Sequence, residues 1–275
     1  MQIIDLSLPI DERAPEVHSF GIERLGHREG IRHLNWVMMK KTLRGKIAFW
    51  LGKRMIQPQD LPDGEFLSLE TVHCPVHIGT HVDYSFHYGT VSEGRPSKTI
   101  NELPLEWCLS DGVVLDFTHK APGDVISKEE VRSGLERIGY DLKPRDIVLF
   151  QTGADRYFGT REYLTHYPGV SPEAIAYLLD RGVKVVGIDA LGLDRPYKFM
   201  MGDFMRTHDG RYLWPAHFFG RTREYAHIER LANLHLLPRP FGFKIACFPV
   251  KIRDTGAAWA RVVALIEEVN NGTYL

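Results

Sequence analysis

Three histidines and one aspartate lie within eleven residues of the chain, at His77, His81, Asp83 and His87. Neutral imidazole nitrogens and carboxylate oxygens are the ligands that Zn, Mn or Fe takes in catalytic sites with an open coordination position. The alternative is that each histidine is an ordinary core or surface residue, as a lone histidine usually is. So dense a cluster favours the metal centre.

The spacings within this stretch are four, two and four residues. In an extended strand, positions an even number of residues apart face the same side, so a strand running into a tight turn would place all four side chains on one face. Gly79 and Thr80 favour a local bend that brings His77 and His81 together. A helix, with these two histidines one turn apart, is an alternative that the glycine and threonine make less natural.

The stretch resembles the His-x-Gly-Thr-His-x-Asp-x-Pro-x-His signature of the metal-dependent cyclase and kynurenine formamidase family, which also includes isatin hydrolase. One position departs, because Ser85 stands where the family usually has proline. Residues 151–153 are similar to the family's Arg-Thr-Gly stretch, with Gln151 in place of arginine. Residues 187–194 are similar to its Gly-x-Asp-x-x-Ser-x-Asp turn, with Gly192 in place of serine.

A later segment supplies the other half of the predicted site. His217 is followed twelve residues later by Glu229, which resembles the family's second signature, a histidine before a Glu-x-Leu-x-Asn-Leu run. The resemblance implies that Asp83 bridges two ions, with His77 and His81 completing the first site and His217 and Glu229 the second. Without the first motif, the second pair would be interpreted as ordinary polar positions.

The role of His87 is open from spacing alone, because it follows Asp83 at the interval that separates His77 from His81. The resemblance implies that His87 is the catalytic acid–base residue, which takes a proton from water and returns it to the leaving nitrogen or oxygen. A divalent ion with open coordination lowers the pKa of water toward neutrality. A serine nucleophile is disfavoured, since the chain has no Gly-x-Ser-x-Gly motif. No substrate-binding residue is predicted.

Composition bounds the other partners. The 275 residues carry a net charge of −1 and a pI near 6.9, which argues against nucleic acid or a membrane as a partner. Three cysteines without paired spacing make a disulfide framework unexpected and fit a cytoplasmic location. The first ten residues lack a basic region, so no signal peptide is expected. No apolar run approaches the roughly 18 residues of a membrane span.

Alternating strand and helix patterns predict the α/β class, with a mixed sheet and one domain over residues 1–275. The resemblance adds a barrel-like core flanked by helices, the swivelling β/β/α fold of the cyclases. Predicted strands cover residues 2–7, 66–73, 112–117, 146–152, 183–189, 243–252 and 262–266. Predicted helices begin at the capping box of residues 127–130 and at Ser171, and end at Gly139 and Gly182. The basic segment 40–54 is either a lid or subunit-contact element, or a solvated helix packed on the body.

These features predict a metal-dependent hydrolase of a small-molecule amide, formamide, cyclic amide or lactone, using one or two Zn or Mn ions per chain. A metal-dependent cyclase or dehydratase acting on a polyketide-like substrate is the alternative within enzymes. A binding protein with a structural ion is a third hypothesis, although structural sites are usually closed by four strong ligands. The resemblance also implies a homodimer or homotetramer.

Overall fold

The computed structural model describes residues 1–267 and divides them into two compact units. The larger unit contains Met1–Val17 and the described residues from Val76 onward, and the smaller unit contains His18–Pro75. The single domain over residues 1–275 stays a prediction, and residues 268–275 lie outside the described part.

The strands are β1 (Gln2–Asp5), β2 (Gly21–Leu25), β3 (Leu69–His73), β4 (His81–Asp83), β5 (Val91–Ser92), β6 (Arg95–Pro96), β7 (Leu109–Asp116), β8 (Val125–Ile126), β9 (Ile147–Gln151), β10 (Gly169–Val170), β11 (Val185–Ile188), β12 (Ala226–Glu229), β13 (Phe241–Ala246), β14 (Ala257–Trp259) and β15 (Val263–Ile266). The α-helices are α1 (His27–Met39), α2 (Leu43–Trp50), α3 (Ser85–Tyr88), α4 (Lys128–Ile138), α5 (Pro172–Leu179), α6 (Tyr197–Thr207) and α7 (Pro215–Phe219). Among the described residues, no helix is both long and apolar enough to cross a bilayer.

The larger unit is built on one mixed sheet. Within the described chain this sheet has nine strands in the order β1-β15-β13-β7-β9-β11-β12-β4-β14. Strands β7, β9, β11 and β12 run parallel to one another, and the outer strands pair antiparallel. The predicted α/β class with a mixed sheet is confirmed, and the barrel-like core is a half-barrel whose edges are β1 and β14.

The central strands read as continuous apolar runs because both faces of the sheet are covered. Along β9, Ile147 and Leu149 enter one hydrophobic core, whereas Val148 and Phe150 enter the other. Helices α4 and α5 contribute to the second core. Successive residues of these strands enter opposite cores, so nearly every position is apolar. This is why the sequence pattern alone predicted the strands.

The two predicted helix starts are confirmed at α4 and α5. The Ser127 hydroxyl accepts a hydrogen bond from the Glu130 backbone N–H, and the Glu130 carboxylate accepts from the Ser127 backbone N–H at 2.9 Å. Helix α4 ends before Gly139, which adopts the left-handed conformation at φ 65°. Helix α5 stops at Leu179, so the predicted end at Gly182 belongs to the turn that follows.

The predicted strand 243–252 is too long at its carboxyl end. Strand β13 ends at Ala246, and Pro249 makes only an isolated bridge to Ala260. Proline lacks the N–H that would continue the ladder, which explains the early end.

The smaller unit contains two helices in contact, α1 and α2, and the antiparallel pair β2 and β3. The buried Asn35 amide organises this unit, because its oxygen accepts from the N–H groups of Met55 and Ile56 at 2.7 and 3.0 Å. Its NH₂ group donates to the Ile31 carbonyl at 2.9 Å. Helix α2 lies inside the basic segment 40–54, and the lid or subunit-contact role of that segment stays a prediction.

Candidate metal centre

Two neighbouring strands form the floor of the site. In the antiparallel pair of β4 and β12, His227 lies opposite Asp83 and Glu229 lies opposite His81. Side chains alternate along a strand, so these four point to one face, whereas Val82 packs into the core on the other. Pairing two His-x-acid tripeptides therefore places two carboxylates and two imidazoles on one small surface.

The motif that begins at His77 is not one extended strand, and the prediction that all four of its side chains share a strand face is wrong. Only residues 81–83 are extended, while His77 lies in the preceding turn and His87 on helix α3. Strand positions two apart are separated by roughly 7 Å, so a fully extended stretch would spread the groups instead of gathering them. The predicted bend is present at Gly79, where φ is 75° and a side chain would lie 2.7 Å from Ile10.

Helix α3 is held against the last strand of the sheet. The His87 N–H donates to the Tyr84 carbonyl at 2.8 Å, and the Tyr84 N–H donates to the Gly256 carbonyl at 2.8 Å. A side chain at Gly256 would lie 2.6 Å from the His87 backbone nitrogen. Because Gly256 has no side chain, the backbone of His87 can lie against it, and this contact places His87 in the cluster.

On one side of Asp83, His77 and His87 face the solvent-accessible cavity, whereas His81 is fully buried. His77 Nδ1 is 3.0 Å from Asp83 Oδ1, and His81 Nε2 is 3.4 Å from the same oxygen. The His81 Nδ1 atom lies 2.9 Å from the Gly79 carbonyl, which can only accept, so Nδ1 carries a proton, and His81 Nε2 lies 3.3 Å from His77 Nδ1. His87 Nε2 lies 3.8 Å from Asp83 Oδ2.

On the other side, His217 comes from helix α7. Its Nε2 is 3.9 Å from Asp83 Oδ2 and 3.5 Å from Glu229 Oε1. Asp194 Oδ2 lies 2.6 Å from His217 Nδ1 and also accepts the backbone N–H of His217 at 3.1 Å. The Leu193 N–H donates to Glu229 Oε1 at 2.8 Å. Such outer partners fix the ring orientation and the tautomer of a ligating histidine.

The two other stretches that carry the family resemblance meet next to the site. The Asp189 carboxylate accepts hydrogen bonds from the Thr152 N–H at 2.8 Å and the Gly153 N–H at 2.8 Å, and also from the Thr152 hydroxyl. Asp189 is buried, so these donors compensate its desolvation. This contact fixes the chain segment that continues to Asp194, the partner of His217.

The six predicted site residues are brought together, and a seventh joins them. His227 Nε2 lies 3.1 Å from Asp83 Oδ2 and 3.1 Å from Glu229 Oε1, and the residue is fully buried. The sequence carried a signal for it, a histidine two residues before Glu229 on an apolar run. Its direction depends on the register between β12 and β4, which are far apart in sequence, so His227 was missed as a site residue.

The cluster keeps its carboxylates ionised. Burial raises the pKa of Asp83, but the charges of His81 and His87 contribute to an opposite effect that holds it well below the ordinary value. Burial also raises the pKa of Glu229, but the hydrogen bond from His227 helps to bring it down to about 2. Burial lowers the pKa of His87 to about 4, which leaves its imidazole neutral at pH 7.

The residues present fit a divalent metal ion. Both carboxylate oxygens of Asp83 are buried without a partner in hydrogen-bonding geometry. An unsatisfied buried carboxylate is costly, and the cost is removed when a cation binds it. Two sets of clustered nitrogen and oxygen donors surround this carboxylate, the set with His217, His227 and Glu229 and the set with His77 and His87.

A cavity of about 450 Å³ opens beside the cluster. His77, His87, His217 and Glu229 reach into it from the site. The rest of its wall is largely apolar and aromatic, and it also contains the polar side chain of Thr165 and two cationic side chains. These wall residues include Leu164, Tyr167, Leu191, Tyr197, Met200, Trp214, Arg195 and Lys198. The size and lining suit a small molecule with an apolar body.

Comparison with known proteins supports the same relationship. The chain is 27% identical over 161 residues to a kynurenine formamidase of Salinibacter ruber, which covers 57% of this chain and 69% of the relative. Its fold is similar to an isatin hydrolase bound to the product analogue thioisatinate, with a TM-score of 0.72, 18% identity, and coverage of 97% of this chain and 93% of the other. Isatin hydrolase A from Labrenzia aggregata, bound to benzyl benzoate, gives a TM-score of 0.68, 21% identity and coverage of 97% and 94%.

The family assignment rests on the match to a family sequence model. The sequence model of the Cyclase family, described as "Putative cyclase", matches residues 4–195. This range contains the first metal motif and the turn that ends at Asp194, so the resemblance seen in the sequence is confirmed. The chain belongs to the cyclase family.

Proposed function

We propose that the protein is a metal-dependent hydrolase of a small-molecule amide, formamide, cyclic amide or lactone, acting on carbon–nitrogen bonds other than peptide bonds. The observation that carries this proposal is the Asp83 carboxylate, which is buried among clustered imidazoles with neither oxygen in a hydrogen bond of suitable geometry. The kynurenine formamidase and isatin hydrolase relatives carry names that describe such reactions.

The proposed ligands divide between two ions that share Asp83. His77 and His81 would complete the first site, and His217 and Glu229 the second. Nitrogen and carboxylate donors of this kind suit Zn or Mn. A divalent ion bound here would polarise a substrate carbonyl and lower the pKa of water.

His87 is the proposed general base. It lines the cavity, its side chain is 32% exposed, and its Nε2 lies 3.8 Å from Asp83 Oδ2. Its low pKa leaves the lone pair available at pH 7, so it can take a proton from water and return it to the leaving nitrogen. The nearby carboxylate stabilises the imidazolium that forms between these two transfers.

The cavity separates this proposal from a binding protein with a structural ion. Structural metal sites are closed by their ligands, whereas His77 and His87 face an open space large enough for a substrate. A cyclase or dehydratase acting on a polyketide-like substrate would use the same donors. The formamidase relative favours hydrolysis over that alternative.

The experiment is a substrate screen of Zn-loaded and Mn-loaded protein with N-formylkynurenine, isatin, simple lactones and imides. We expect turnover of at least one of these classes, with one oxygen of ¹⁸O-labelled water in the product. Asp83→Asn should abolish turnover, and His235→Ala, a change at an exposed histidine, should not affect it. Product without solvent oxygen, or turnover that Asp83→Asn leaves intact, would contradict the proposal.

A further inference from the structure

We propose that His227 is an additional metal ligand, and that Tyr88 is the positioning residue that turns its Nε2 lone pair toward the ion. This inference rests on the proposed function in one respect, that a divalent ion binds beside Asp83. It goes beyond the paired signatures of the sequence, which supply His217 and Glu229 on this side and leave His227 without a role.

Position and burial give the first argument. His227 Nε2 lies 3.1 Å from one oxygen of Asp83 and 3.1 Å from one oxygen of Glu229. All three residues are buried, with exposures of 0, 0 and 6%. No water-exposed conformation of the ring is available in this packing, because Tyr88 stacks on it with ring centroids 5.3 Å apart. The His227 imidazole is therefore held between the carboxylates of Asp83 and Glu229.

The hydrogen bonds of Tyr88 give the second argument. Its hydroxyl donates to the backbone carbonyl of Asp83 at 3.0 Å and lies 3.1 Å from His227 Nδ1. A phenol has one proton, and a carbonyl can only accept, so the proton serves Asp83 and the phenol oxygen accepts from His227 Nδ1–H. His227 Nδ1 is therefore occupied, and Nε2, which faces one oxygen each of Asp83 and Glu229, is the ring atom that would bind an ion.

The resulting donor set has four members. Asp83 Oδ2, His217 Nε2, His227 Nε2 and Glu229 Oε1 are all buried, with separations of 3.1–3.9 Å among the measured pairs. Both imidazoles are oriented by a hydrogen bond at Nδ1, that of His217 with Asp194 and that of His227 with Tyr88. Four strong protein donors are typical of ions that are retained, and Asp83 and His227 are fully buried in this set. We therefore infer that this half holds its ion more tightly than the half that contains His77.

The direct test is NMR of the full chain labelled with ¹⁵N-histidine and loaded with ¹¹³Cd²⁺. We expect a one-bond ¹¹³Cd–¹⁵N coupling at His227 Nε2 and a retained proton at Nδ1. Signals are assigned by their loss in His227→Gln, with His235→Ala as the matched control at an exposed histidine. Couplings at His217 and His81 without one at His227 would overturn the inference, because the ring would then be a protonated neighbour of the ion and not a ligand.

Metal competition gives a second measurement that does not depend on turnover. Chelator titrations with Zn²⁺ should show one tight ion in the unaltered protein, which His227→Ala weakens by more than 100-fold. Tyr88→Phe should weaken it by about 10–100-fold, as is usual for outer partners. If His227→Ala does not fold, His227→Gln replaces it. Unchanged affinity in the folded variant would overturn the inference.

The two proposals fail in different ways. Coupling at His227 without turnover of any tested substrate would leave the ligand assignment standing and reject the hydrolase. Turnover with solvent-oxygen incorporation, but without coupling at His227, would support the hydrolase and reject the ligand assignment.

Discussion

The two sides of the Asp83 carboxylate differ in access although they share a ligand. On the open side, His77 is 37% exposed, lines the cavity and comes from a turn. On the buried side, His227 is fully buried in a strand that pairs with strands on both sides. From this comparison we predict a division of work, in which the half with His227 retains its ion more firmly and the half with His77 is more accessible to substrate.

The supporting residues follow the same division. Asp194 and Tyr88 hold the imidazoles of the buried half through hydrogen bonds to their Nδ1 atoms. On the open half, His77 Nδ1 itself faces Asp83, and His87 rests on a helix of four residues. Rigid support suits ion retention, whereas proton transfer needs a ring that substrate and water can approach.

The largest expected effect comes from removing the shared ligand. Asp83→Ala should eliminate both ions and reduce turnover to the uncatalysed background, because each half loses a carboxylate oxygen at once. Metal analysis of the purified variant, together with turnover, checks this. Full metal occupancy in this variant would show that the two halves do not depend on Asp83, and the comparison would fail.

The next largest effect separates catalysis from metal binding on the open half. His87→Ala should keep the metal content of the unaltered protein and lose roughly 10²-fold or more in turnover, because the proton acceptor is gone. The acid limb of the pH–rate profile should flatten, since protonation of His87 at low pH removes the base in the unaltered protein. If metal is lost in step with activity, His87 is a ligand and the open half has no proton carrier.

A smaller effect is expected from the support of the buried half. Asp194→Asn should weaken one ion by about 10–100-fold, because an amide no longer stabilises the Nδ1–H of His217 as a carboxylate does. Binding of the other ion should be unchanged, as measured by chelator competition. Asp209→Asn, which alters a part-exposed capping aspartate, is the control. Equal weakening of both ions would contradict the division between the halves.

The smallest effect concerns the departure from the family signature at Ser85. This residue opens helix α3, its hydroxyl is buried without a partner, and the preceding Tyr84 is extended at φ −140°. Proline suits the first position of a helix, so Ser85→Pro should raise the free energy of unfolding by about 0.4–1 kcal/mol. Urea denaturation measures this, and Ser85→Ala separates loss of the hydroxyl from the effect of the ring. A loss of stability specific to proline would show that the open half needs its present turn geometry.

Much of the sheet was predictable from the sequence. A strand buried on both faces needs apolar residues at successive positions, and such runs, for example Ile147–Gln151, are visible in the sequence. The ligands His77 to His87 were found by spacing and resemblance, and His217 and Glu229 by resemblance. Helix α3 was not predicted, because four residues are too few to show a helical period. His227 was missed because its direction is set by pairing with β4, a contact between segments more than 140 residues apart in sequence.

The attachment of α3 to Gly256 also bears on the order in which the protein matures. Synthesis proceeds from the amino terminus, and domains acquire their contacts as the chain emerges. All proposed ligands are translated by residue 229, yet the Tyr84 N–H and the neighbouring His87 depend on the carbonyl and the bare backbone of Gly256. In the nascent chain, the proposed ligands are therefore complete in sequence before the segment that positions His87 is made. Pairing of β14 with β4 would then complete the proposed active site.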